Sequence, residues 1–234
     1  MKSMIAGAIA GVLAIAAPVM AQEQPAPVVV ELYTAQGCSS CPPADTLLGQ
    51  LADDPRIIAL ALHVDYWDYL GWKDKFADPK FTKRQKAYAK AVKDRMIYTP
   101  QMIIQGQDRV VGSRPEEVDA AISGQLGRES GVTLHLSRDE GGILIRAAAS
   151  PPPENPLWVQ LIRFRPEEQV AIKKGENAGM KMTYRNIVTS WQRLGEWKGQ
   201  QPLEMRADLG GGDPAVVIIQ RAGPAEILAA QLLR

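Results

Sequence analysis

Soft and nitrogen ligands are scarce in this chain: its 234 residues include two cysteines and two histidines. A closed structural zinc site needs four such ligands, commonly two C-x-x-C pairs or one pair with two spaced histidines. His63 and His135 lie far apart with no H-x-x-x-H spacing, which argues against structural zinc. Two cysteines are also too few for the disulfide framework of a small secreted scaffold. An excess of one charge is missing as well. With 27 basic and 26 acidic residues the net charge is +1, so the balance gives no support to nucleic acid or a membrane surface as partner. The chain has no internal repeat and no long low-complexity tract. Beyond its first residues no apolar stretch is long enough to cross a bilayer.

What is present begins at the N-terminus. Met1-Lys2-Ser3, an apolar run over residues 4–17 and the small-residue pattern Pro18-Val19-Met20-Ala21 read as a secretory signal peptide, residues 1–21. The run is short for a span of about 20 residues, and no Cys follows it to take a lipid. The expectation is a soluble protein of the periplasm or a secreted one, with no membrane span after signal cleavage. Residues 22–27 read as a short flexible leader.

The stretch that organises the rest is Thr34-Ala35-Gln36-Gly37-Cys38-Ser39-Ser40-Cys41-Pro42-Pro43. It follows the apolar, β-rich Val28-Val29-Val30-Glu31-Leu32-Tyr33 and precedes a helical pattern over residues 44–52. Two thiols at i and i+3 beside a helix N-terminus can close a small disulfide, and the positive end of the helix stabilises the thiolate of the outer one. Cys38 is then the attacking thiol and Cys41 the resolving thiol. A purely structural disulfide is the alternative, although so short a loop restrains the unfolded chain little. A residue before Pro avoids the α region, so the helix is expected to start near Pro43 with the cysteines in the turn before it.

Downstream, the almost wholly apolar residues 57–63 suit a strand buried on both faces, parallel to the first through a right-handed crossover. The aromatic stretch Asp65-Tyr66-Trp67-Asp68-Tyr69-Leu70-Gly71-Trp72 follows, then a helix over 79–92. Tyr98-Thr99-Pro100 opens a strand, Gly106 turns it, Arg109-Val110-Val111-Gly112 pairs back, and a helix over 115–126 closes the unit. This order resembles the thioredoxin fold. Together with His63-Val64-Asp65-Tyr66-Trp67-Asp68 and Gly175-Glu176-Asn177-Ala178-Gly179, the chain looks like a family of exported bacterial thioredoxin-like proteins known as a domain of unknown function.

The resemblance implies a cis Pro100 beside the cysteine pair, with Thr99 presenting its backbone to a substrate. It also implies a buried acid on the first strand. Glu31 is the candidate, though Gly37 adds one residue before Cys38 and Glu31 reads equally as an outward strand residue. His63 and Asp65, at the end of the second strand, either support the thiols or serve locally, as a hydrogen bond and a turn cap. With Cys38 and Cys41, His63 would make an S/S/N copper site of the kind suited to soft ligands, since exported thioredoxin-like relatives include copper chaperones. Tyr66, Trp67, Tyr69 and Trp72 form either a self-packed loop or an apolar rim for unfolded peptide.

After residue 127 helical periodicity gives way to alternation. Residues 132–137 and 142–147 read as a hairpin with His135 on its polar phase. Further strands fall at 157–165, 168–172, 184–194, 203–209 and 215–221, and residues 225–233 suit a strand or a helix. Gly175–Gly179 reads as a turn, since no G-K-[ST] follows it. The fold expected is an α/β thioredoxin-like domain over residues 22–127 followed by a smaller mostly-β, sandwich-like domain over 128–234. The function expected is an exported thiol-disulfide oxidoreductase acting on protein thiols and disulfides, with a redox partner protein and no cofactor. The alternatives are copper binding or delivery, and a binding protein with an inert disulfide.

Overall fold

The structure, a computed structural model, describes residues 26–233, and the signal-peptide reading lies outside them. Strand β1 (Val28–Thr34) is buried along its whole length. Helix α1 (Pro42–Leu51) opens on two prolines, whose fixed φ and missing N–H suit a first turn, with Cys41 as N-cap. Cys41 takes helical φ −80° and ψ −33° although a proline follows it, so the cysteine turn runs directly into the helix. Then come β2 (Ile57–His63), a 3-10 turn (Asp68–Leu70), α2 (Pro79–Ala91), β3 (Gln101–Ile104), β4 (Asp108–Val111) and α3 (Pro115–Gln125). Asp78 caps α2 by accepting the Lys80 amide at 2.8 Å, and Glu116 and Glu117 sit in the first turn of α3, where the helix dipole favours acids.

The remaining elements are strands: β5 (Val132–Asp139), β6 (Gly142–Ala149), β7 (Leu157–Ala171), β8 (Lys181–Trp197), β9 (Leu203–Asp208), β10 (Ala215–Arg221) and β11 (Ile227–Leu233). A mixed sheet runs in the order β11-β10-β7-β8-β2-β1-β3-β4, and β5-β6-β9 form a second sheet. This overturns the expected α/β thioredoxin-like domain followed by a smaller sandwich-like β domain. The protein is mostly β, with three α-helices among the described residues, and four strands of its second half continue the sheet begun by the first. The cause lies in β2. Buried on both faces, it cannot remain an edge. Strand β8 docks parallel to it at Ala61↔Ile187, and Asn186 Nδ2 donates to the Ala59 carbonyl at 2.9 Å.

On one face of the large sheet, α1 and α3 cover Val30, Leu32, Ala61 and Met102. On the other, Tyr33, Leu60 and Ile103 share a core with Ile162, Ile218 and Ile227, because the sheet curls back on itself. Gln105, in the turn after β3, fastens that curl: its carbonyl accepts from Ile227 N–H at 2.9 Å, and its Nε2 donates to the Ile227 carbonyl at 2.8 Å.

Inside the curl Glu31 is fully buried and meets Arg84 of α2 through two hydrogen bonds, from Nε at 2.7 Å and Nη2 at 2.8 Å. Tyr33 and Tyr88 donate to the same carboxylate at 3.0 and 2.7 Å. Gln220 of β10 accepts from Arg84 at 3.2 Å and donates to Tyr88 at 2.8 Å, and the guanidinium lies 3.7 Å from the ring centre of Trp191 on β8. Removing one partner of a buried pair strands a charge, at a cost of about 3–5 kcal/mol. Arg84→Ala is expected to lose that much in urea denaturation, and Glu31→Gln combined with Arg84→Met to lose clearly less. Equal losses would show that the charges matter only as packing volume.

Candidate functional site

The cysteine turn is built from backbone upward. Cys38 N–H bonds the Ala35 carbonyl at 3.1 Å and Cys41 N–H the Cys38 carbonyl at 3.2 Å, which brings the two residues together as a disulfide with a Cα–Cα distance of 5.4 Å. Ser39 and Ser40 are exposed, whereas both cysteines are 0 % exposed. Gly37 has a packing reason: a Cβ there would meet Trp67 Cβ at 3.3 Å and its carbonyl oxygen at 3.4 Å.

Three residues converge on Cys38. Trp67 Nε1 donates to Thr99 Oγ1 at 2.7 Å, and Thr99 Oγ1 donates to Cys38 Sγ at 3.3 Å. Ser40 Oγ lies 3.5 Å from the same sulfur. The Thr99–Pro100 bond is cis, and Pro100 is buried. Tyr66 donates to Gln85 Oε1 at 3.2 Å, and its hydroxyl is pushed up to about 12 by burial. Tyr69, from the same stretch, is 78 % exposed.

The rear of the turn is held by residues that the sequence reading passed over. Asn177 Nδ2 donates to the carbonyls of Gln36 and Cys38, both at 2.9 Å, so the 175–179 loop, read as a plain turn, clamps the cysteine turn. Trp72 Nε1 donates to Gln36 Oε1 at 2.7 Å, and Gln36 N–H to Asp74 Oδ2 at 2.8 Å. The signal for Asn177 was the Asn between two glycines that both take positive φ, a shape that aims a short amide at backbone.

His63 and Asp65 serve different neighbours. His63 Nδ1 lies 2.7 Å from Asp74 Oδ2, with both side chains fully buried, and its ring meets Phe76 and Tyr184 edge-on. Asp65 accepts from Thr82 Oγ1 at 2.5 Å and so ties the aromatic stretch to α2. Glu31 belongs to the Arg84 network. His135 is exposed on β5. Among the described residues no group of three or more His, Cys, Asp or Glu side chains could hold a metal ion. In this structure the Cys38 and Cys41 sulfurs are bonded to each other, and His63 Nδ1 is engaged by Asp74.

A buried acid stands elsewhere, on α1. Neither oxygen of Asp45 has a hydrogen-bond partner among the described residues, and the same holds for His63 Nε2 and Thr34 Oγ1. Burial pushes the Asp45 carboxyl up to about 7, against the pull of nearby His63. Asp74 behaves oppositely: burial would raise it, but the charge and hydrogen bond of His63 hold it below the usual range.

Three comparisons place the chain. The profile of the family described as "Protein of unknown function (DUF1223)" matches residues 29–220. A crystal structure of protein AGR_C_4864 from Agrobacterium tumefaciens is 30 % identical, with TM-score 0.75 over 90 % of this chain and 95 % of that one. HBP35 of Porphyromonas gingivalis is 13 % identical with TM-score 0.65, covering 90 % of this chain and 76 % of that one, a likeness of fold alone. No curated protein matches.

Asp45 sets a pH dependence whose sign follows from its raised folded value. Its contribution to stability is whole below the ordinary value of 3.8 and is lost as pH rises to about 7. Asp45→Asn carries no such loss. Relative to the parent, the variant is expected to gain on the order of 4 kcal/mol between pH 4 and pH 8, read by urea denaturation at both. A constant difference between the two proteins would mean that Asp45 ionises as freely folded as unfolded.

Proposed function

The chain belongs to the DUF1223 family of proteins of unknown function, and from that premise we propose that it is an exported thiol-disulfide oxidoreductase whose redox pair is Cys38–Cys41. The observation that carries this reading is the Trp67–Thr99–Cys38 chain of hydrogen bonds. A hydroxyl aimed at one sulfur of a C-x-x-C, and itself fixed by an indole N–H, favours the thiolate over the thiol once the pair is reduced. A disulfide kept only as a staple needs no such donor.

In the reducing direction, the Cys38 thiolate attacks one sulfur of a partner disulfide, forming a mixed disulfide and expelling the partner's other sulfur as thiolate. The Cys41 thiolate then attacks Cys38 Sγ, closes the Cys38–Cys41 bond and releases the partner's second thiolate. Two electrons pass to the partner, and run backwards the same steps oxidise a dithiol. Asp45, one helical turn on from the Cys41 N-cap and with a carboxyl that burial raises to about 7, is the candidate base for the Cys41 proton. Glu31 is unsuited to that task because four donors already hold its carboxylate. Tyr66, Trp67 and Pro100 frame the place where the partner's backbone would lie, beside the exposed Ser39 and Ser40.

Burial of both cysteines supports a second reading, a binding protein with an inert disulfide. A glutathione titration separates the two, since inert structural bridges have potentials below about −300 mV. For the oxidoreductase, Cys38→Ser is expected to abolish reduction of a protein disulfide, and Cys41→Ser to accumulate mixed disulfides on non-reducing gels. Thr99→Val is expected to slow alkylation of reduced Cys38 about tenfold at neutral pH, the worth of one hydrogen bond to a charged sulfur. Equal activity of the parent and Cys38→Ser would end this reading.

A further inference from the structure

Global charge balance conceals a segregated face. Between Pro79 and Lys93 every charged residue is a cation, in a chain whose net charge is +1. Lys80, Lys83, Lys86, Lys90, Lys93 and Arg95 are exposed, and among the described residues none of them forms an ion pair. Their spacing does not serve the helix. Lys80 and Lys83 crowd the positive end of α2, whose first turn has no acid, and Lys86 and Lys90 repel at i,i+4. Such a like-charged pair costs α2 a few tenths of a kcal/mol, although Lys90, in the last turn, also meets the negative end of the helix.

Four of these cations, Lys86, Lys90, Lys93 and Arg95, rim a groove of about 590 Å³ floored by Ala89 and Ile97. Val92 and Met96 stand beside it, 52 % and 70 % exposed, among the few large apolar side chains left in water. Asp94 is the acid at the groove, and it lies 3.9 Å from Arg109. Along the chain the groove lies close to the cysteine site. Ile97 is two residues before Thr99, at most about 7 Å of extended chain. Gln85 of α2 fixes that approach, donating to the Tyr98 carbonyl at 2.8 Å and to Gln101 Oε1 at 2.9 Å.

We propose that the α2 groove docks an acidic, partly apolar extended segment of the protein that exchanges disulfides with Cys38, so that substrates are selected by carboxylates flanking their cysteines. The proposal rests on the oxidoreductase reading. The rim supplies charge complementarity, Ala89, Ile97, Val92 and Met96 supply apolar contact, and the short path to Thr99 delivers the flanking cysteine to Cys38.

Binding is tested apart from chemistry. A labelled cysteine-free peptide of alternating Glu and Leu is titrated into the full oxidised chain and followed by fluorescence anisotropy. A Lys and Leu peptide serves as its counterpart. The acidic peptide is expected to bind at least tenfold tighter, and to lose at least tenfold on K86E/K90E/K93E and on raising the salt to about 1 M, where charge is screened within about 3 Å. The neutral set K86Q/K90Q/K93Q is expected to fall between parent and reversal. Equal affinity for the two peptides overturns the proposal. So does failure of both to bind while the protein sediments with phosphatidylglycerol vesicles, which would assign the face to a membrane surface. The same peptides carrying a disulfide then test exchange: acidic flanks are expected to raise kcat/KM at least tenfold. Binding of the acidic peptide without any exchange supports the groove and removes the oxidoreductase reading.

Discussion

The buried pair of Glu31 and Arg84 is the constraint on which the remaining architecture depends. A guanidinium and a carboxylate taken out of water cost several kcal/mol each unless their remaining hydrogen-bonding capacity is met. Here it is met from four elements: Tyr33 of β1, Tyr88 of α2, Gln220 of β10 and the face of Trp191 on β8. Each partner therefore has a fixed place, and the places are scattered along the chain from Tyr33 to Gln220. Apolar packing alone would tolerate small slips of β10 along β7. The pair does not, because a slip leaves a charge without its donors. Gln160 extends the same restriction, bonding Gln220 at 2.8 Å and Trp191 at 2.9 Å.

The cysteine turn depends on this curled sheet in turn. Asn177 reaches it from the loop between β7 and β8, so the shape of the turn is held by a residue that arrives only when the second half of the sheet is in place. Trp72 and Asp74 hold the same turn from the segment after β2. The loop is thus held by contacts that do not involve the sulfurs: two carbonyls by Asn177, the Gln36 N–H by Asp74 and the Gln36 side chain by Trp72. That rigidity is what an exchange site needs if Thr99 is to face Cys38 in both redox states.

Much of the local structure was legible. The apolar run at 28–33, the prolines after Cys41, the wholly apolar 57–63 and the Gly106 turn each carry a local cause, and strands and helices fall where those causes put them. Two strands read as separate, at 157–165 and 168–172, are one strand β7, because the chain passes Pro166 without leaving its pairing with β8. The pairs β1–β2, β3–β4 and β5–β6 fall where the sequence put them, but the long-range pairing was not legible. That 57–63 is apolar on both faces says it has a neighbour on each side; nothing in its pattern names β8 as one of them. The side chains of Asn177 and Asp74 were hidden for a related reason. Their partners are backbone groups and a His in other elements, and a polar residue's type does not announce a contact made across the fold. Glu31 illustrates the converse. Alternation beside Leu32 suits an outward residue, yet the curl gives β1 two inner faces and leaves it no outer one.

The two buried carboxyls divide the sheet's labour. Glu31 lies in the curl among hydrogen-bond donors, where charge is compensated and geometry is the product. Asp45 lies on the helix-covered side, where nearby His63 and the Thr34 hydroxyl only partly offset its burial and the carboxyl is pushed up to about 7. Four donors meet the first acid, whereas the second has Thr34 and His63 nearby with neither Thr34 Oγ1 nor His63 Nε2 in a well-formed hydrogen bond. Buried orphans of this kind are rare because each costs stability. Their concentration behind a C-x-x-C turn, beneath the first turn of the helix that Cys41 caps, is the part of this structure that packing does not account for, and it is what the proposed thiol exchange would use for proton transfer.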